Sequence, residues 1–214
     1  LTALHVVYDV NRGGWAKDVI IYPGTATSPY FTAPFGVYTD VGSIVGRASN
    51  WDLDGDGLLT QAESQGDLAL IGLRSAIGAV TGWLPVTDLA SSFNGLLTGY
   101  PQRGTGLMAE PDLATAASNY GVYMVAAGLG AGASGGPLLY SAGGVTSVVG
   151  VLSSGNYGNT LSTYAGLFGA GTWDWLKAAI AADDALMGLP PGSAPVSSPN
   201  IFMGTSGSDS FTGT

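Results

Sequence analysis

The sequence predicts an all-β fold made of two β units, on three observations. Hydrophobic residues make up 46% of a 214-residue chain, enough for one sizeable core or two small abutting ones. The apolar runs are only four to eight residues long, the length of strands rather than of helices. Turn formers separate them throughout, with Gly 35 and Pro 11 in the composition.

Taken in order, residues 6–99 read as short strands, among them 19–22, 41–45 and 68–71, with turns such as Pro23-Gly24 between them. An acidic stretch over 52–63 interrupts this pattern. A second strand set follows, including 121–125, 137–140 and 148–152, each bounded by glycine or serine clusters. The first good helix comes late. Thr172 is placed to cap it, Asp174 lies in its first turn, and Trp173, Leu176 and Ile180 share a face that should pack on the second β unit. Residues 188–200 read as a linker, because their prolines lack amide donors and fix the backbone. Residues 201–214 begin a different pattern.

Lys+Arg 6 against Asp+Glu 15 gives a formal net charge of -9, which argues against nucleic acid and anionic membrane surfaces as partners. No window approaches the roughly 20 continuous apolar residues of a spanning helix. With Cys 0 there is no disulfide framework and no thiolate zinc site. The opening Leu1-Thr2-Ala3-Leu4-His5 has neither a basic leader nor an initiator methionine, so the chain reads as trimmed at its front.

The segment richest in chemistry is Gly130-Ala131-Gly132-Ala133-Ser134-Gly135-Gly136-Pro137-Leu138. Glycines around a serine permit unusual backbone angles, which lets neighbouring amides converge on an oxygen that becomes negative in a tetrahedral intermediate. Read alone, the segment is also compatible with an ordinary glycine-rich turn. A nucleophilic serine needs a base, and His5 is the sole histidine. The imidazole in turn needs a carboxylate to fix its tautomer. Asp67, an acid leading into the apolar 68–71 strand, suits that role.

Thr2-Ala3-Leu4-His5, Asp67-Leu68-Ala69-Leu70 and Gly132-Ala133-Ser134-Gly135-Gly136-Pro137 resemble the three active-site motifs of trypsin-like serine proteases, and they occur in that family's order. Val7-Tyr8-Asp9, Gly13-Gly14-Trp15-Ala16, Tyr22-Pro23-Gly24 and Gly99-Tyr100-Pro101 resemble its disulfide-poor bacterial branch, which includes glutamyl endopeptidases. The resemblance spans residues 1–187 and implies two six-stranded antiparallel β-barrels of the chymotrypsin type, the first incomplete here, with a C-terminal helix.

The same resemblance implies a catalytic triad of His5, Asp67 and Ser134, with the amides of Gly132 and Ser134 as an oxyanion hole. It makes 149–155 the strand that pairs with substrate backbone, so that Ser153, Ser154 and Gly155 bind substrate while Gly128 or Leu129 lies near the base of the specificity pocket. Two departures stand out. Leu4 occupies a place that is usually small, and Ala133 replaces the aspartate on which vertebrate-type zymogen activation depends. No Asp or Glu lies between Asp112 and Ser134, and the one histidine is already assigned. Small or apolar residues are therefore expected before the scissile bond, rather than Arg, Lys or Glu.

Residues 52–63 match a calcium-loop pattern: Asp52, Asp54 and Asp56 at the first, third and fifth places, Gly57 at the sixth, the Leu58 carbonyl at the seventh and Glu63 at the twelfth. Ala48-Ser49-Asn50-Trp51 is a poor entering helix, so this is an EF-hand-like loop inserted in the first β unit, with a solvated acidic loop as its plain alternative. Gly204-Thr205-Ser206-Gly207-Ser208-Asp209-Ser210-Phe211 resembles one nonapeptide unit of RTX calcium-binding repeats. If such repeats continue, the resemblance implies a bacterial protein secreted by type I export. The expectation is thus a secreted, calcium-stabilised serine endopeptidase acting on polypeptides. The rival is a catalytically silent homologue serving as a calcium-dependent binding or adhesion module.

Overall fold

The computed structural model describes residues 1–26 and 30–190. The repeat-like segment 201–214 and all but the first residues of the expected linker 188–200 lie outside these. The chain opens on one helical turn, α1 (Leu4–Val7), and a small hairpin of β1 (Tyr8–Asp9) and β2 (Gly14–Trp15). Tyr8 and Trp15 are cross-strand partners and meet edge to face, with ring centroids 4.9 Å apart. Asp9 Oδ1 accepts from the Asn11 amide at 2.8 Å and starts the turn that Gly13 closes at φ 94, in the left-handed region.

β3 (Val41–Gly46) and β4 (Ala69–Leu73) form a second two-stranded antiparallel sheet, with α2 (Gln61–Ser64) between them in sequence. Thr2 bridges to Ala69 and so ties the N-terminal segment to β4. After α3 (Gly78–Thr81) come six further strands: β5 (Phe93–Gly99), β6 (Met108–Ala117), β7 (Val122–Val125), β8 (Pro137–Ala142), β9 (Val145–Gly155) and β10 (Ser162–Gly166). They close into an antiparallel barrel in the order β10-β7-β6-β5-β8-β9. α4 (Thr172–Leu186) completes the described chain.

The all-β expectation holds, with one of the two expected barrels present. Among the described residues the front half forms two-stranded sheets and isolated bridges, not a barrel. Residues 19–22, expected as a strand, contribute a single bridge from Ile21 to Tyr38. Thr172 does not cap α4. Gly171 takes that position with φ 67, while Thr172 is fully buried in the first turn.

The barrel interior is filled by Phe93, Leu97, Tyr123, Val125, Leu129, Leu138, Val149 and Tyr164. Leu176 on α4 joins Ala3, Leu68, Val151, Ala165 and Leu167 in a second cluster, so the helix packs where the barrel meets the N-terminal segment. α4 also reaches the front sheet. Asp183 Oδ1 accepts from the Ser43 hydroxyl at 3.0 Å and lies over Gly72, where any Cβ would overlap its carboxylate.

Candidate active site

His5 rides on α1, which is anchored by Leu4 and Val7, 0% and 4% exposed. The large Leu4 fits because β3 presents Gly46 opposite it: a Cβ on Gly46 would stand 2.9 Å from Leu4 Cδ1. The two residues are complementary. The imidazole packs edge-on toward Trp51, with centroids 6.1 Å apart, and Trp51 is itself held by donation from Nε1 to the Tyr8 carbonyl at 2.9 Å.

Asp67 is fully buried just after α2, its amide donating to the Ser64 carbonyl at 3.2 Å. Its carboxylate is surrounded by donors. Oδ1 accepts from the His5 amide at 2.8 Å, Oδ2 stands 2.7 Å from His5 Nδ1, and Oδ2 also accepts from the Ser153 hydroxyl at 2.7 Å. A carboxylate only accepts, so the neutral imidazole carries its proton on Nδ1 and leaves Nε2 as an acceptor. The His5 side chain is 22% exposed.

Ser134 lies in the loop between Leu129 and β8. Gly132 and Gly135 adopt φ of 88 and 83, angles that favour glycine. The loop is stitched by Ala133 to Gly130 (3.2 Å) and Gly136 to Ala133 (2.9 Å), and pinned to β9 by the Gly135 amide on the Leu152 carbonyl at 2.9 Å. It presses on the residues just ahead of His5: a Cβ on Gly135 would overlap the Thr2 hydroxyl and lie 3.3 Å from the Ala3 nitrogen.

The structure therefore joins His5 to Asp67 by direct hydrogen bonds and seats the Ser134 loop against the same N-terminal segment. The Ser134 hydroxyl makes no hydrogen bond among the described residues, to His5 Nε2 or to any other group. The amides of Gly132 and Ser134 likewise donate to no described group.

Of the other expected site residues, Gly128 and Leu129 are buried and Gly155 is exposed. β8 pairs with β9 as far as Val151, two further hydrogen bonds join Leu152 to the backbone of Gly135 and Gly136, and beyond them Ser154 and Gly155 have a strand partner only in β10. Ser153 is 2% exposed and its hydroxyl is committed to Asp67, so only its backbone can face a substrate. Sequence reasoning did not find this Asp67 contact, which joins residues 86 apart without a local pattern. Nor did it single out Trp51. A cavity of about 500 Å³ lined by Leu1, Leu70, Trp83, Val86, Leu176 and Ile180 is apolar and touches none of the site residues.

The acidic loop has its own organisation. Asp52 accepts from the Gly55 and Gly57 amides at 2.7 and 2.9 Å, Asp54 from the Asp56 amide at 3.2 Å, and Asp56 from the Leu58 amide at 2.7 Å. Glu63 accepts from Leu53, and from both the amide and hydroxyl of Thr60, forming a capping box at the start of α2. The hydroxyl and amide of Thr60, then the Leu53 amide, hold Glu63 below the usual glutamate range. The Asp56 amide pulls Asp54 down, but desolvation and the carboxylates of Asp56, Glu63 and Asp52 together push it above the aspartate range.

Asp52, Asp54 and Glu63 place oxygen atoms within 4.8 Å of one another. Asp56 is outside that group. The helix entering an EF-hand is missing, since no helix forms over residues 47–51, and the exiting helix is a single turn.

No protein-family model and no curated protein sequence matches the chain. Solved structures do. A Glu endopeptidase, in a structure of its complex with MPD, aligns at TM-score 0.63 and 19% identity, covering 83% of this chain and 79% of its own. The protease Anisep from Arthrobacter nicotinovorans aligns at TM-score 0.63 and 19% identity, over 81% and 78%. The thermostable serine protease AL20, from an extremophilic microorganism, aligns at 0.64 and 21%, over 81% and 80%. The chain has a serine-protease-like fold.

Proposed function

We propose that the protein is a serine endopeptidase whose nucleophile, base and orienting acid are Ser134, His5 and Asp67. The observation that carries this reading is the buried Asp67 carboxylate holding both the Nδ1 and the amide of His5. That arrangement fixes the tautomer a general base requires. Ser134 Oγ attacks the peptide carbonyl carbon while its proton passes to His5 Nε2. The carbonyl oxygen takes up negative charge, stabilised by the free amides of Gly132 and Ser134. His5 then gives the proton to the leaving amine, the C–N bond breaks, and an acyl-enzyme on Ser134 remains. Water attacks that ester with His5 again as base, releasing the carboxylic product and restoring Ser134.

The edge at Ser154 and Gly155, where β10 is the only strand partner, suits an extended polypeptide, which would add as a strand and present its carbonyl to Ser134. Asp52, Asp54 and Glu63 would hold a hard divalent cation such as calcium, with Asp56 and the Leu58 carbonyl nearby in sequence. The crowding that raises Asp54 is what such a cation relieves. Its role would be to fix the loop that leads through α2 to Asp67. Secretion, by type I export from a bacterium, rests on the repeat-like sequence of 204–211 alone. Among the described residues no helix is long and apolar enough to cross a membrane.

One observation favours the rival reading of a silent homologue used for binding: the Ser134 hydroxyl makes no hydrogen bond to His5 in this structure. Catalytic hydrogen bonds are often long before substrate binds, so the distinction is experimental. A fluorophosphonate probe should label Ser134, mapped by peptide mass, and fail on Ser134→Ala. Absence of labelling on the wild-type chain would establish the silent reading.

A further inference from the structure

The connection between β9 and β10, residues 156–161, is tightly laced. Asn156 Oδ1 accepts from the amides of Thr160 and Leu161 at 2.9 and 3.1 Å, its Nδ2 donates to the Thr160 hydroxyl at 2.9 Å, and its amide donates to the Leu161 carbonyl at 3.0 Å. The Asn159 amide donates to the Asn156 carbonyl at 3.0 Å. This holds Asn159 at φ 53, the one non-glycine residue at positive φ among those described. Asparagine tolerates that region better than most residues.

The loop folds back onto the segment 128–130 that leads to Ser134. A Cβ on Gly128 would stand 2.8 Å from Ser162 Oγ and 3.3 Å from both the Cα and the carbonyl oxygen of Asn159. One on Gly130 would stand 3.2 Å from both polar atoms of the Asn159 carboxamide. The two glycines thus leave room for Asn159 rather than for a substrate. Ser162 is not available as a second polar lining group, because its hydroxyl donates to the Ala127 carbonyl at 2.7 Å. The Asn159 carboxamide has no hydrogen-bond partner among the described residues.

The resemblance to trypsin-like serine proteases puts the base of the specificity pocket at Gly128 or Leu129, and Asn159 lies directly against Gly128 and Gly130. We propose that Asn159 is a specificity-determining residue that admits only small side chains, such as Gly, Ala or Ser, before the scissile bond. This rests on the endopeptidase reading above and narrows its substrate class. A bulky side chain would have to displace a loop held by five hydrogen bonds.

The test uses two peptidyl phosphonates that differ only in carrying an Ala or a Phe side chain next to phosphorus, with Ser134 labelling followed by intact mass. The wild-type chain should react faster with the Ala probe by roughly tenfold or more, the range a steric pocket difference supplies. Asn159→Gly, which suits φ 53 and so preserves the loop, should bring the ratio to about one or reverse it. Asn159→Asp, of the same shape, should keep the Ala preference. Labelling of Ser134 with an unchanged ratio in Asn159→Gly, or a wild-type preference for Phe, overturns the assignment of Asn159 while leaving the endopeptidase reading intact. No labelling by either probe or by a small fluorophosphonate overturns both.

Discussion

In the barrel every strand has a hydrogen-bonded neighbour on each side, whereas β3 has only β4 beside it, and the N-terminal segment joins β4 through a single bridge, Thr2 to Ala69, and Asp67 through the hydrogen bonds of His5. The barrel encloses its own core of Leu97, Tyr123, Leu138 and Tyr164. The front half has a smaller core, Leu4, Val7 and Ala69 with Ile44, Trp51 and Ile71 against them, and leans for the rest on α4 through Asp183 and Leu176, on the Ser134 loop against Thr2, and on Ser153 at Asp67. The proposed nucleophile therefore comes from the self-sufficient half, and the proposed base and acid come from the dependent one. Catalysis should be lost more easily than the barrel, because the geometry of His5 and Asp67 relies on contacts across the seam.

The largest effects expected are catalytic. His5→Ala, Asp67→Asn and Ser134→Ala should each cut peptide turnover by roughly four to six orders of magnitude, with double variants little worse than single ones. Of these, Asp67→Asn should also destabilise the front half, since its buried carboxylate serves three donors. A near-wild-type rate in any of them would break the assignment of roles.

Next in size is the cross-seam bond. Ser153→Ala removes a hydrogen bond to a buried charge and should cost about 1.5–3 kcal/mol in denaturant unfolding. Turnover should fall as well, while near-ultraviolet signals from barrel tyrosines persist into higher denaturant. Gly72→Ala pushes a methyl group into the Asp183 carboxylate and should cost about 1–3 kcal/mol. A single coincident transition for both halves in these variants would show that the front half is not the weaker partner.

Much of this division was legible in sequence. The strands at 41–46, 122–125, 137–142 and the core of β9 follow short apolar runs, His5 and Asp67 of the first two motifs are hydrogen bonded, and Gly135 of the third lies against Thr2 of the first. β6 is hard to read from sequence because Glu110, Pro111 and Asp112 are residue types depleted in strands and Pro111 has no amide to donate. Pro111 is tolerated since β6 there has only β5 beside it, pairing with β7 beginning at Ala114. Leu4, large where the resemblance implies a small residue, is accommodated by a glycine distant in sequence, Gly46. Ser153 on Asp67 and Asn159 on Gly130 arise from the closing of the barrel and of one loop, and no local pattern announces either.

The smallest effects concern the acidic loop. Glu63 is held below its ordinary value, so the stability it contributes is fully present above about pH 4.3 and is lost as pH falls further through its folded value. Glu63→Gln should flatten that acid limb in a melting-temperature profile. Asp54 is raised and has the opposite sign, its cost appearing as pH rises past the ordinary aspartate value. Asp54→Asn should accordingly raise the melting temperature slightly in chelator at pH 7, and abolish the gain from added calcium. That gain is about 2.7 kcal/mol when free ion is 100 times the dissociation constant. A melting temperature indifferent to calcium and chelator would leave the loop as a hydrogen-bonded cap on α2.

The central claim, that Ser134 is acylated with His5 as base, is tested most directly by active-site titration with an activated peptide ester. The wild-type chain should release a burst of about one equivalent of leaving group per molecule, accompanied by an acyl adduct that peptide mapping places on Ser134. The burst rate should collapse in His5→Ala and the adduct should vanish in Ser134→Ala. Turnover without a burst, or an adduct that survives in Ser134→Ala, would contradict the account.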